Sequence, residues 1–197
     1  GTNCTILIDE PMPKLPGTVV AHAPTKAALR DIYFGWAEYR AAVNVEVALL
    51  RSRGTPEYPE GTYAVVVGDT GQVAFPGRSE DWITIAHSHP SGPDQPGFVN
   101  PSGADLQSSL FGNFGRSTGR IRRWVHSQTP TGEWREVEYG LDLDSGQYYI
   151  RPTGGEPLFF EELHDQALRR EDLEKYKTLH MEGKERERID LMIEQNG

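Results

Sequence analysis

Apolar positions along the chain recur first at helical spacing and then at strand spacing. Leu29, Ile32, Tyr33, Trp36 and Tyr39 follow one another at steps of three and four, which predicts an amphipathic helix with Thr25 as its N-cap, running to about Val43. Short β-prone apolar runs predict strands over 45–51, 62–68, 82–86, 120–126, 133–139 and 146–151. Asp69-Thr70-Gly71 predicts a tight turn into 72–75, and so a hairpin. Leu106, Leu110 and Phe114 share one helical face and predict a second helix from about Ser102. Residues 1–24 hold one apolar stretch, Ile6-Leu7-Ile8, and then Pro11, Pro13, Pro16 and Gly17, the composition of an extended lead-in with at most one short strand. From Leu158 onward Leu, Glu, Arg, Lys and Asp dominate, which predicts helices over 159–181 and 184–195. The order helix, strands, helix, strands, helices predicts an α/β domain over 25–157 with a mixed sheet flanked by helices, a lead-in over 1–24 and a C-terminal helical extension over 158–197.

Composition narrows the function classes. The 197 residues are 37% hydrophobic and include 4 Trp, 8 Tyr and 7 Phe, enough to pack a core. A formal charge of −9 disfavours broad binding to a phosphate backbone, so no nucleic acid is expected as a partner. No apolar run approaches the ~20 residues that a membrane-spanning helix needs, so no membrane is expected either. The single cysteine, Cys4, excludes an intrachain disulfide and a Cys-rich zinc site, and it has no neighbouring base to make it a nucleophile. The first residue is Gly and no signal-peptide pattern follows, so the chain is expected to be trimmed or to be a module of something longer; its compartment stays open.

Chemistry concentrates in one stretch. Ile85-Ala86-His87-Ser88-His89-Pro90 closes a predicted strand, and Pro101-Ser102-Gly103-Ala104-Asp105 opens a predicted helix. Strand side chains alternate faces, so His87 and His89 point the same way. Two imidazoles on one face can bind a divalent metal. A carboxylate from Asp105 completes a His, His, Asp set with one position left for water, the composition of a catalytic rather than a structural zinc site. Plainer readings stand beside this one: most His-x-His pairs are solvated or bonded locally, and Ser102 with Asp105 also forms a helix capping box. Glu46 is a further signal, because a carboxylate inside the apolar run 45–51 needs a partner when buried. His22, His126, His164 and His180 read as surface or locally bonded histidines, and Arg116, Arg120, Arg122 and Arg123 as a solvated strand edge, with an acidic partner or nucleic acid as the alternative.

His87-Ser88-His89-Pro90 taken with Pro101-Ser102-Gly103-Ala104-Asp105 resembles the signature of the JAMM (MPN-plus) zinc metalloproteases. Val45-Glu46-Val47-Ala48-Leu49-Leu50, directly after the first helix, is similar to the strand on which that family carries a required Glu. The resemblance covers residues 27–126, and nothing comparable is found in the C-terminal part. One departure is the spacing: Asp105 follows His89 by 16 positions, several more than the family usually has, with the extra residues in loop 91–100. Surface loops tolerate insertion cheaply, and this one is expected to shape substrate access.

The resemblance implies a cytidine-deaminase-like JAMM/MPN fold. It implies Zn2+ held by His87, His89 and Asp105, with water as fourth ligand, Glu46 as general base and then acid, and Ser102 as donor to the oxyanion. The reaction implied is hydrolysis of a peptide or isopeptide bond in a protein substrate, ubiquitin or a ubiquitin-like protein among the candidates. Some JAMM-like domains end large bacterial toxin or effector proteins, so the same resemblance implies a soluble module, cytoplasmic or delivered into a target cell. Two other classes stay open. One is a non-catalytic MPN-like binding module, although such modules generally lack the metal ligands present here. The other is a metal-dependent hydrolase or nuclease of another fold, which would not need Glu46.

Overall fold

The spacing from Leu29 to Tyr39 forms a helix as expected. A single 3-10 turn, Ala27–Leu29, leads into α1, Arg30–Ala41, and the Thr25 hydroxyl accepts the Ala28 N–H at 3.4 Å. The buried stripe of α1 is Tyr33, Trp36, Ala37 and Arg40, while Tyr39 is half exposed. The sequence pattern counted Tyr39 on the inner face. Arg40 takes that place instead, with its guanidinium over the Tyr39 ring at 5.8 Å from the centroid.

A computed structural model describes residues 6–7, 14–41, 43–90, 101, 103–109, 118–128, 131–152 and 155–160. The protein is α/β, with a strand-rich mixed sheet and one long helix. Its chain divides into two compact units, residues 1–97 with 126–133 and residues 98–125 with 134–197. Among the described residues, no helix is long and apolar enough to cross a membrane.

In the first unit the strand order is β1 (Ile6–Leu7), β2 (Val19–Ala23), β4 (Tyr63–Thr70), β3 (Val45–Ser52) and β5 (Trp82–Ser88), antiparallel at every step. β3 and β4 are apolar along most of their length because neighbours flank both edges and α1 packs along β3. One face of these strands carries a core of Val19, Ala48, Leu50, Ala64, Val66 and Trp82, with Tyr58, Val73 and Phe75 packed on it.

Two local expectations fail here. Residues Val19–Ala23, inside the expected lead-in, form a buried strand between β1 and β4; burial on both faces removes the alternation that would have revealed it. The hairpin after Asp69 shrinks to one bridge, Asp69 to Gln72, because β2 and β3 already occupy both edges of β4; Val73 and Phe75 pack as core side chains instead.

The second unit holds α2 (Gly103–Ser108), most of β6 (Arg120–Gln128), β7 (Trp134–Asp142), β8 (Gln147–Pro152) and β9 (Leu158–Phe160). β7, β8 and β9 pair antiparallel. Leu158–Phe160, expected to begin the helical extension, is instead a strand matched to Tyr148, Tyr149 and Ile150. Residues 161–197, Leu110, Phe114, Arg116 and Cys4 lie outside the described residues. Leu106 is fully buried on α2, as its periodicity requires.

The arginines of β6 are not a bare solvated edge. Arg122 donates twice to the buried Glu138 carboxylate, at 2.7 and 3.2 Å, and the Tyr149 hydroxyl donates to its other oxygen at 2.9 Å. Arg120 lies over the Tyr149 ring, 5.0 Å from its centroid. Burial first, and then the Glu138 charge and hydrogen bond, hold the Tyr149 phenol well above its ordinary pKa of 10.0. The folded state therefore keeps this proton where the unfolded chain releases it, so the stabilisation is complete below pH 10.0 and declines above it. Denaturant unfolding of the wild type and Tyr149→Phe across that pH is expected to show their stability difference falling by about 1.4 kcal/mol per pH unit above the phenol's ordinary pKa. A difference that stays constant with pH would contradict this.

Candidate metal centre

The register between β3 and β5 assembles the site. Ala48 pairs with His87 and Leu49 with Ala86, while Leu50 pairs with Thr84, so β5 holds one extra residue, Ile85. This irregularity puts Thr84 and His87 on the same face despite their odd spacing. His87 thereby faces the side of β3 that carries Ala48 and Leu50. Continuing the register by two residues brings Glu46 opposite His89.

Side-chain geometry bears out that convergence. The Nε2 atoms of His87 and His89 are 3.2 Å apart, with ring centroids at 4.9 Å and planes inclined by 67°. Glu46 Oε1 stands 4.0 Å from His89 Nε2, longer than a hydrogen bond. One ligand atom from each of the three residues lies within 4.8 Å of the others, so the group can hold a metal ion. Glu46 and His87 are buried, at 7% and 2% exposure, and His89 is partly open.

The donor set suits such an ion. Two imidazole nitrogens bound to one tetrahedral zinc, at ~2.0–2.1 Å each, would lie about 3.3 Å apart. The observed 3.2 Å matches, and it also suits one imidazole donating to the other. A ligating carboxylate would sit at a similar ~3.3 Å from its neighbours. Glu46, at 4.0 Å from His89 Nε2, lies somewhat beyond that spacing.

Main-chain contacts fix this arrangement. Ser88, fully enclosed between the two histidines in sequence, accepts the Val47 N–H on its hydroxyl at 2.9 Å and so ties β5 to the peptide beside Glu46. The His89 N–H donates to the His126 carbonyl at 2.8 Å. On the other side of β3, the register with β4 slips between Val45 and Val47. Gly68 fills that slip: a Cβ there would lie 2.8 Å from the Glu46 carbonyl oxygen and 2.6 Å from that of Gln72. Sequence reasoning singled out none of Ser88, Gly68 or Tyr33 for such roles. The Gly in the run 62–68 was the available signal, since a glycine inside an apolar strand marks a bulge or a close backbone approach.

Of the five site residues read from the sequence, the structure brings Glu46, His87 and His89 together in the first unit. Asp105 lies in the second unit, in the first turn of α2. Ser102 lies outside the described residues, as do His164 and His180. His126 is locally bonded, as expected of it: its Nδ1 is 3.0 Å from the Tyr33 hydroxyl. His22 sets its ring edge-on to Tyr58 at 5.4 Å. Comparison with protein-family models, with curated proteins and with solved structures returns no match for this chain.

Gly68→Ala is expected to lower the unfolding free energy by ~1–3 kcal/mol, because two carbonyl oxygens must move to admit the methyl group. Gly35→Ala is the control: nothing lies within 4 Å of its added Cβ. That change, within α1, is expected to stabilise by ~0.5–1 kcal/mol. Denaturant unfolding of both variants checks this, and equal effects would remove the packing role of Gly68.

Proposed function

We propose that this chain is a JAMM-type zinc metallopeptidase with the cytidine-deaminase-like arrangement of that family. It hydrolyses peptide or isopeptide bonds in a protein substrate, ubiquitin or a ubiquitin-like protein being the substrate class to test first, as an effector or toxin module of a larger protein. The observation that carries the reading is the placement of Glu46, from β3, 4.0 Å from His89, just past the end of β5, and beside His87 within it. A carboxylate has no packing reason to sit in that apolar strand. Next to two imidazoles it has a chemical one.

His87 and His89 would hold the ion, with Asp105 as the third protein ligand. Zinc in such a site supplies Lewis acidity and brings the pKa of its water toward neutrality. Glu46 takes the proton of the attacking water and passes it to the leaving amine, as general base and then acid. Its burial among apolar neighbours keeps bulk water from competing for that proton. The Ser102 hydroxyl donates to the carbonyl oxygen as charge develops there. Residues 91–100, which lie outside the described residues, and residues 158–197 would set substrate choice.

Purified wild-type protein is expected to carry one zinc per chain by elemental analysis and to cleave a ubiquitin–lysine isopeptide substrate or a generic peptide. Glu46→Gln should keep the zinc and lose turnover by ~10²–10⁴-fold, the range for removal of a general base. His87→Ala and Asp105→Ala should lose the zinc itself. Wild-type protein without stoichiometric zinc, or Glu46→Gln with undiminished turnover, would overturn the reading. Zinc binding accompanied by phosphodiester cleavage would move the protein to another hydrolase class.

A further inference from the structure

We infer that Tyr33 on α1 and His126 on β6 form a positioning pair that sets the main chain at His89, an inference that rests on the metal-site reading above. Tyr33 Oη lies 3.0 Å from His126 Nδ1, and both residues are buried, at 2% and 6% exposure. The His126 ring is further held edge-on by the rings of Tyr33, at 5.4 Å, and Phe34, at 4.9 Å. The carbonyl of the same residue accepts the His89 N–H at 2.8 Å.

These contacts form a continuous path. α1 fixes the phenol, the phenol and Phe34 fix the imidazole, and the imidazole's orientation fixes the peptide whose carbonyl carries His89. That support falls where it is needed. The ladder between β3 and β5 ends at the pair Ala48 and His87, so His89 stands two residues beyond it. A ligand set tolerates only ~0.5 Å of misplacement before its geometry degrades. The 3.2 Å between the two Nε2 atoms therefore depends on what holds the His89 peptide from the β6 side.

A polar pair in this setting also has a cost that simple packing would avoid, since a buried hydroxyl and imidazole must satisfy each other. A Phe at either position would fill the space. Tyr33 and His126 are positioning residues: neither is assigned contact with substrate or metal.

The test uses the whole chain and zinc as the probe. Tyr33→Phe removes one hydroxyl and is expected to weaken zinc binding by about 10-fold in chelator competition, the lower end of the range for groups that orient metal ligands. Amide exchange at His89 should quicken by a similar factor, measured without metal. Trp36→Leu, which loosens the buried face of the same helix outside this path, should lower Tm while leaving zinc affinity within twofold of the wild type. Should Tyr33→Phe fail to fold, Tyr33→Phe combined with His126→Phe removes both members of the pair together and is expected to show the same weakened affinity. Unchanged His89 exchange and unchanged zinc affinity in these hydroxyl-deleted proteins would overturn the pair's role. So would equal losses of affinity in Tyr33→Phe and Trp36→Leu, which would reduce the contact to packing. Absence of zinc binding in the wild type would instead remove the metallopeptidase reading, and His89 exchange would still decide the pair.

Discussion

The antiparallel register of β3 against β5 is the constraint from which the rest of the site follows. With Ala48 opposite His87, a small side chain faces a large one, and the next inward position on β3, Glu46, meets His89, just past the end of β5. A slip of one residue would turn the carboxylate to the other face of the sheet, away from both imidazoles. Two irregularities hold that register in place: the extra residue Ile85 in β5, and the slip in β4 at Gly68, which lets a backbone approach Glu46 more closely than any side chain would permit. Both lie beside the site, where such irregularities re-aim side chains.

A buried carboxylate and a buried imidazole are each unfavourable in an apolar sheet unless something compensates their lost hydration. Here the compensation is mutual, and a shared cation would strengthen it. The same logic operates in the second unit, where Glu138 collects two donors from Arg122 and one from Tyr149. The two carboxylates differ in consequence. Glu138 is held by a guanidinium and a phenol, which suits a structural anchor, whereas Glu46 stands 4.0 Å from an imidazole in a group that can hold a metal ion. Because Glu46 and His87 sit on central strands and not on loops, their positions are set by the ladder itself.

Much of this was legible in the amino-acid pattern, for identifiable reasons. The helix at Arg30–Ala41 shows in the three- and four-residue spacing of its buried face, and β3, β4 and β5 show as apolar runs bounded by turn residues. His87 and His89 could be placed on a common face by strand period alone, and Glu46 stood out as an acid where packing wants none. What stayed hidden depended on neighbours distant in sequence. Val19–Ala23 gives no alternating signal because both its faces are covered, and Leu158–Phe160 is a strand only because β8 offers an edge. The failed hairpin after Asp69 is the converse case, a good turn whose second arm found no free edge. Ser88 acts through a main-chain N–H and the Tyr33–His126 pair through a contact 93 residues apart, which no local pattern encodes, whereas Gly68 left the trace of a glycine inside an apolar strand.

The most direct measurement is X-ray diffraction from zinc-loaded crystals at energies on either side of the zinc absorption edge. The expected result is one anomalous peak per chain, ~2.0–2.1 Å from Nε2 of both His87 and His89, with Glu46 beyond it. A peak elsewhere, or none while the two imidazoles keep a direct hydrogen bond, would contradict the central claim that these strands converge to hold a metal.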